Sequence, residues 1–429
     1  MKYLKILLLS LIFVFHTRVN CQEQNRDYSG KSFTLEECIE AAKANYPAIK
    51  RFNLLESTKE YTVKDINLDA LPKVNIMLRG SYQSEVTHIP ISLPGSSINP
   101  ISKDQYAAVV NIEQKIWDGG ISNAGRSEAE ALLEQEKSEL RGEIYTIGER
   151  VMTLYMGVVL IDRHLNLNQL QIKEIQRVIN RVESLIETGY ASPSHLLTAK
   201  AEEIQLLQKG DILRAERESY TAALSRMTGI EIGTTAKLVV PTGVVPSNLA
   251  INREEIIIFQ NMKKVVEVKY KYLDAANMPK ISAFVQAGYA RPALNMLNNS
   301  FDPFYVAGVR AVWDIGGFNT KRNDRRILAN TISRIENREE TFLYNTDIKK
   351  LSAIKKIEGV KELLKGDEKI IELRESICRD SFNKMESGVI SVSDHLREMN
   401  LLEVAQSNKL KREIELIIAV QELKFILNQ

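Results

Sequence analysis

The sequence predicts a mixed α/β fold in which one unit, a pair of strands feeding a very long helical hairpin, occurs twice in the chain. Three observations lead there. The first is recurrence. Pro72, Trp117-Asp118-Gly119-Gly120 and Gly189 are followed in the same order by Pro279, Trp313-Asp314-Ile315-Gly316-Gly317 and Gly388, with the tryptophans 196 and the glycines 199 residues apart. Such self-similarity reports a duplicated structural unit. The second is length: no proline interrupts the 67 residues from Ser122 to Thr188, about 100 Å of rod at 1.5 Å per residue. The third is a change of hydrophobic period from 3.6 to 2 ahead of each tryptophan, which marks strands.

The elements follow in chain order. Lys2 and Lys5 precede the apolar run Ile6 to Phe15, so residues 1–21 read as a secretory signal peptide, too short to span a bilayer. Cleavage is expected near Cys21-Gln22, with Cys21 as the alternative site of lipid attachment, and residues 22–32 form an N-terminal extension. No later segment approaches about 18 apolar residues free of charge, so no membrane-spanning helix is expected. The net charge of +2, with both signs intermixed, leaves no basic patch for nucleic acid. Cys38 and Cys378 sit among apolar helical neighbours and read as small buried hydrophobes, not as a disulfide framework.

Residues 33–237 make the first repeat. Thr34 and Glu37 form a capping box before Cys38, Ile39, Ala41 and Ala42, and Pro47 opens a helix toward Leu71. Strands are expected at about 73–84 and 105–116. In the first, Val74, Ile76, Leu78, Gly80 and Tyr82 alternate with Lys73, Asn75, Arg79, Ser81 and Gln83, with Met77 as an exception. In the second, Tyr106, Ala108, Val110, Ile112 and Ile116 alternate with Asn111, Glu113 and Lys115. A loop rich in Pro, Ser, Gly and Asn joins them, from Thr87 to Lys103.

A helical hairpin over 121–228 follows. Leu140, Ile144, Ile147, Val151, Leu154, Val158, Ile161 and Leu165 keep a 4-3 spacing, which Asn168, Ile172, Ile175, Ile179, Val182 and Ile186 continue. That heptad seam predicts coiled-coil packing. Gly189 supplies a left-handed helix end, Ser192 an N-cap and Pro193 a first helical position.

Residues 238–250, with Pro241 and Pro246, read as a linker. The second repeat, 251–429, begins with Asn252 and Glu255 as a cap pair. Strands are expected at about 281–290 and 304–313, then a hairpin over 320–428 whose seam is less regular and fits a helix packed on two neighbours. Gly388 and Ser391 punctuate its tip. Tyr82, Tyr106, Trp117, Tyr289, Tyr305 and Trp313 sit near strand ends as interfacial aromatics.

Alternation over ten residues suits a half-buried soluble sheet as well as a lipid-facing one. The adjoining helices are rods, too long to cover a sheet, which favours lipid. Strands in hydrocarbon must close, and the smallest such barrels have about eight. Four per chain therefore require sister chains: two would supply eight strands and three would supply twelve.

Together these marks resemble the TolC-type outer membrane efflux protein family. They are the pre-strand prolines Pro72 and Pro279 and the turns Trp117-Asp118-Gly119-Gly120 and Trp313-Asp314-Ile315-Gly316-Gly317. To these are added tips of the form Gly-x-x-Ser-x-x-Asp-Leu-Leu. Gly189, Ser192, Leu196 and Leu197 match the first tip, where His195 replaces the acid. Gly388, Ser391, Asp394 and Leu396 match the second, where His395 replaces a leucine.

The resemblance implies a homotrimer whose four strands per chain build a 12-stranded outer membrane β-barrel, continued by a periplasmic α-barrel. It implies an exit duct for efflux or type I secretion, outer membrane lipid around the barrel, and a periplasmic membrane fusion (adaptor) protein. An inner membrane pump of RND, ABC or MFS type would supply the energy. Gly189, Ser192, Leu196, Leu197, Gly388, Ser391 and Leu396 become helix-tip and adaptor-docking residues. Trp117, Asp118, Gly119, Gly120, Trp313, Asp314, Gly316 and Gly317 become strand-to-helix turns. Asp394 and Glu386 become candidates for an acidic periplasmic constriction, with capping of the return helix as the alternative for Asp394.

No enzyme, cofactor or metal is expected. Gly119-Gly120 has no neighbouring Gly-Lys-Ser/Thr of a P-loop, and of five histidines none forms a His-x-x-x-His pair. The remaining alternative is a non-transporting periplasmic coiled-coil scaffold or stalk.

Overall fold

The computed structural model describes residues 32–86, 101–233 and 235–428. The signal peptide, Cys21, most of the N-terminal extension and most of the Thr87–Lys103 loop lie outside the described residues. The chain runs β1 (Ser32–Phe33), α1 (Leu35–Asn45), a 3-10 turn (Pro47–Lys50), α2 (Arg51–Leu68), β2 (Lys73–Tyr82), β3 (Asp104–Trp117), α3 (Ile121–Glu187) and α4 (Pro193–Thr228). Then come β4 (Lys237–Leu238), α5 (Glu254–Ala276), β5 (Lys280–Arg291), β6 (Asp302–Val312), α6 (Gly317–Glu386) and α7 (Val392–Leu427).

Long helices and strands alternate as the sequence predicts. β2, β3, β5 and β6 form one antiparallel sheet in that order, so β2 and β6 are its edges. The strands of the two repeats therefore pair through β3 and β5. Below the sheet, α3 packs on α2 and α5, and further along on α1, α4 and α7. The second long helix, α6, packs on α5 and α7.

The heptad seam of α3 is its packing line: Leu140, Ile144, Ile147, Val151, Val158, Ile161, Asn168, Ile175, Ile179 and Val182 are buried. Asn168 is satisfied there, its Nδ2 donating to the Leu206 carbonyl on α4 at 3.0 Å. At mid-height the helix is enclosed on several sides. Met152, Tyr155, Met156 and Val159 join Phe33, Leu35, Cys38 and Leu224 in the largest core. Gly148 and Gly157 are notches for rings: a Cβ would lie 2.7 Å from the Phe425 ring and 2.4 Å from that of Tyr220. Burial of this kind explains why α3, by length and composition, contains a stretch apolar enough to cross a membrane, a feature not expected from the sequence. Just over half of that stretch, 56%, is buried within the protein.

Thr34 and Glu37 make the capping box expected of them, with Thr34 N donating to Glu37 Oε2 at 2.9 Å and Glu37 N to Thr34 Oγ1 at 3.2 Å. The second repeat departs from expectation. Arg253, not Asn252, is the N-cap of α5, and it makes no side-chain cap. The Glu255 carboxylate is taken by the Arg253 guanidinium, and the Asn252 backbone is tied to the end of α7 through Leu427 O at 3.0 Å.

A parallel two-residue pairing of β1 with β4 ties the start of the first repeat to the linker. Tyr155 fastens it: its hydroxyl lies 2.7 Å from both Phe33 O and Val239 O.

Candidate functional site

Two regions carry functional geometry, the sheet and the hairpin tips. Register across the sheet gathers the apolar residues on one face. Val74, Ile76 and Leu78 stand opposite Ile112, Val110 and Ala108, which stand opposite Val285, Ala287 and Tyr289, which stand opposite Ala307, Tyr305 and Pro303. Among the described residues nothing covers this face: Val74, Ile76 and Leu78 are 62%, 74% and 78% exposed. The other face carries a polar row, Asn75 beside Asn111 beside Gln286. It also carries Phe284 and Phe304, whose rings lie over Gly308 and Gly288 where a Cβ would come within 3.1 Å. The Arg310 guanidinium sits 5.0 Å above the Phe284 ring.

A bulge between Lys115 and Trp117 inserts Ile116, so Trp117 pairs with Ile281 and joins the apolar face. Strict alternation would have placed Trp117 on the polar side. Trp117 and Trp313 thus mark the helix end of the sheet, and Tyr106, Tyr289 and Tyr305 the loop end. At the loop end Phe301 stacks on Tyr289 at 5.7 Å and on Tyr106 at 6.2 Å. Arg291 lies over Tyr106 and Phe301 and pairs with Asp104.

The two strand-to-helix turns look alike in sequence and differ in backbone. In the first, Gly119 and Gly120 are both left-handed, at φ +76° and +97°. The Asp118 carboxylate accepts from Gly120 N at 2.9 Å and Ser122 N at 2.7 Å. Burial raises the Asp118 pKa, but these bonds and that of the Ser122 hydroxyl outweigh it and leave the carboxyl below its ordinary range. In the second, Gly316 is right-handed and leads straight into α6. Asp314 accepts only from Gly316 N, at 2.9 Å, while Trp313 Nε1 donates to Asn277 O at 3.0 Å. Gly317 is required by close approach, since a Cβ would sit 2.5 Å from Asn277 Oδ1.

The tips repeat each other closely. Gly189 and Gly388 have φ of +79° and +73°. Tyr190 N returns to Leu185 O at 2.8 Å, as Val389 N does to Lys384 O at 2.9 Å. No atom would obstruct a Cβ at either glycine, so the left-handed backbone alone calls for them. Ser192 caps α4 by accepting from Ser194 N at 3.3 Å. Ser391 and Asp394 form a reciprocal capping box on α7. Asp394 Oδ2 accepts from Ser391 Oγ at 2.7 Å and Ser391 N at 3.2 Å, and these bonds hold its carboxyl below the usual range.

Both tips share one core, in which Ile175, Val178, Ile179 and Val182 of α3 meet Met385, Val392 and Leu396. Leu396 is buried and Leu196 is packed at the margin of that core, whereas Leu197 is exposed, together with Tyr190 and Val389. Glu386 is held by Arg181 at 2.8 Å, an ion pair that joins the first hairpin to the second. The site residues foreseen from sequence thus divide by geometry into turn and cap formers, core formers, one inter-hairpin tie and the exposed Leu197. Among the described residues no group of three or more His, Cys, Asp or Glu side chains could hold a metal.

The bare apolar ribbon is mounted on helices of 67 and 70 residues. The family described as outer membrane efflux protein matches residues 38–229, which spans most of the first repeat. Solved structures extend the likeness of fold to both repeats. VceC, an outer membrane protein from Vibrio cholerae, superposes with a TM-score of 0.65 at 13% identity over 92% of this chain and 95% of its own. The outer-membrane channel OprN gives 0.66 at 13% identity over 92% and 89%. The open state of the MtrE outer membrane channel from Neisseria gonorrhoeae gives 0.64 at 14% identity over 92% and 88%. No curated protein is matched by the sequence.

Proposed function

We propose that this chain is the outer membrane exit duct of a tripartite efflux or type I secretion system. It conducts passively what an inner membrane pump and a periplasmic adaptor deliver. The observation that carries this reading is the sheet. Its apolar face is bare, and its edge strands β2 and β6 have no neighbours on their outer sides among the described residues. In hydrocarbon both edges must be paired. Three chains close twelve strands into a barrel, with the Asn75–Asn111–Gln286 row toward the water-filled interior.

The helices support the same assembly. Twenty-one of the 67 residues of α3 are buried, against eight of the 70 in α6. On α6, Tyr344, Ile348 and Leu351, then Leu363, Ile370, Leu373 and Ile377, stay exposed at heptad spacing. A second apolar line on a helix already packed along its first is a seam for a neighbouring subunit. The tips, with Leu197, Tyr190 and Val389 outward, then face the adaptor, and Glu386 and Asp394 recur three times around the narrow end.

Purified protein added to a planar lipid bilayer tests this, alongside electrophoresis with and without heating. Stepwise ion currents and a heat-dissociable trimer are expected. A detergent-independent soluble monomer without current would instead identify a periplasmic stalk.

A further inference from the structure

A cavity of about 530 Å³ lies between the two hairpins just above the tip core, walled by α3, α6 and α7. His395 of α7 borders it and is only 1% exposed. Its ring hydrogen bonding can be worked out atom by atom. With the Ser381 hydroxyl donating to the Cys378 carbonyl at 2.8 Å, its oxygen accepts from His395 Nδ1 at 2.8 Å. Nδ1 therefore carries the proton, and Nε2 presents a lone pair. That Nε2 is buried and has no partner. Across the same cavity Gln171 of α3 has neither amide atom paired.

We propose that Nε2 of His395 is a proton-binding site that unlatches the hairpin tips on acidification. The opening it would produce rests on the duct reading; the loosening of the tip does not. A proton on Nε2 places a charge in a site lined by Phe382, whose ring stands edge-on at 5.4 Å, and by Met399 and Leu402. The charged groups around the cavity are Glu174 and Arg177 on α3, Glu375 and Arg379 on α6, and Glu403 on α7. Glu174 is paired with Arg177 at 2.9 Å, and Glu403 with Lys209. None of them offsets the effect of burial, which alone pushes the His395 pKa below its ordinary value.

The closed tip thus holds His395 neutral, while a loosened tip lets water reach Nε2 and restores a pKa near 6.5. The form with the lowered pKa is favoured above that value and loses its advantage as pH falls through it. Between pH of about 7.5 and 5.5 the loosened fraction rises by up to about tenfold per subunit.

Cys378 borders the same cavity and reports on it. Its labelling by a pyridyl disulfide is measured by mass spectrometry on the detergent-solubilised full chain, with each rate divided by that of His395→Leu at the same pH. The division removes the thiol's own titration. The ratio is expected to rise, by up to about tenfold over that interval, and to do so equally when His395→Gln is the reference, should the leucine variant fold poorly. His195→Gln, in the other tip, should keep the wild-type profile. A flat ratio, a ratio that falls on acidification, or a His195→Gln profile that matches His395→Leu overturns the proposal, whether or not the protein carries current.

Discussion

Glu386 and Asp394 carry the same charge a few residues apart and bond to different partners, a difference that conductance can probe. Arg181 Nε to Glu386 Oε1, at 2.8 Å, spans from α3 to α6 and so from one hairpin to the other. Asp394 bonds only within its own helix start. The Arg181 and Glu386 side chains are 43% and 34% exposed, which puts the pair at about 0.3–1 kcal/mol after solvent screening. Three symmetry-related pairs in the proposed trimer give about 1–3 kcal/mol, or about a 5- to 150-fold shift toward an open tip. Glu386→Gln should therefore raise single-channel conductance or open probability in a planar bilayer at low salt, and Asp394→Ala should leave both close to wild type. Raising salt from about 0.1 M to 1 M shortens the screening length from about 10 Å to 3 Å and should bring the wild type toward Glu386→Gln. Arg181→Gln added to Glu386→Gln should change nothing further. Equal opening by Asp394→Ala, or unchanged currents in Glu386→Gln at low salt, would refute the assignment.

Four further outcomes follow from the geometry. Leu78→Lys, at mid-strand on the bare apolar face, should cost about 2–4 kcal/mol in the bilayer and deplete protein from the membrane fraction. Asn75→Lys on the opposite face should assemble normally and shift the channel toward anions. Tyr155→Phe removes the hydroxyl proton that lies between the Phe33 and Val239 carbonyls, while Phe33 O keeps Val239 N at 3.0 Å, a loss of about 0.5–1.5 kcal/mol, seen as a lower Tm and faster amide exchange in β1 and β4. Gly388→Ala forces a Cβ into a left-handed residue and should lower stability by about 1–2 kcal/mol, with no steric clash to relieve.

What the sequence reveals and what it hides divide along physical lines. Periodicity reports which face of an element is covered, so the α3 seam and the strand alternation could be read directly. The less regular seam of α6 could be read too, through Ile335, Ile357 and Met385, all buried. It does not report what lies opposite. Gly148 and Gly157 look like weak points in a helix until the Phe425 and Tyr220 rings are brought against them from other helices. Phe284 and Phe304 break the polar face of the sheet for the same reason, since each fills space left by a glycine on the neighbouring strand.

The duplicated turns show a second limit. Trp117-Asp118-Gly119-Gly120 and Trp313-Asp314-Ile315-Gly316-Gly317 differ by one inserted isoleucine, and that residue removes the need for two left-handed glycines before the helix begins. Similar residues thus reach similar ends by different backbones. The Asn252–Glu255 cap pair was legible as a motif and absent as a structure because Arg253, between them, pairs with the glutamate. Leu196 and Leu396 illustrate the last step. A tip leucine in a motif says that the position is apolar, and only packing decides whether it faces a partner or, like Leu396 at 5% exposure, closes the core that holds both hairpins together.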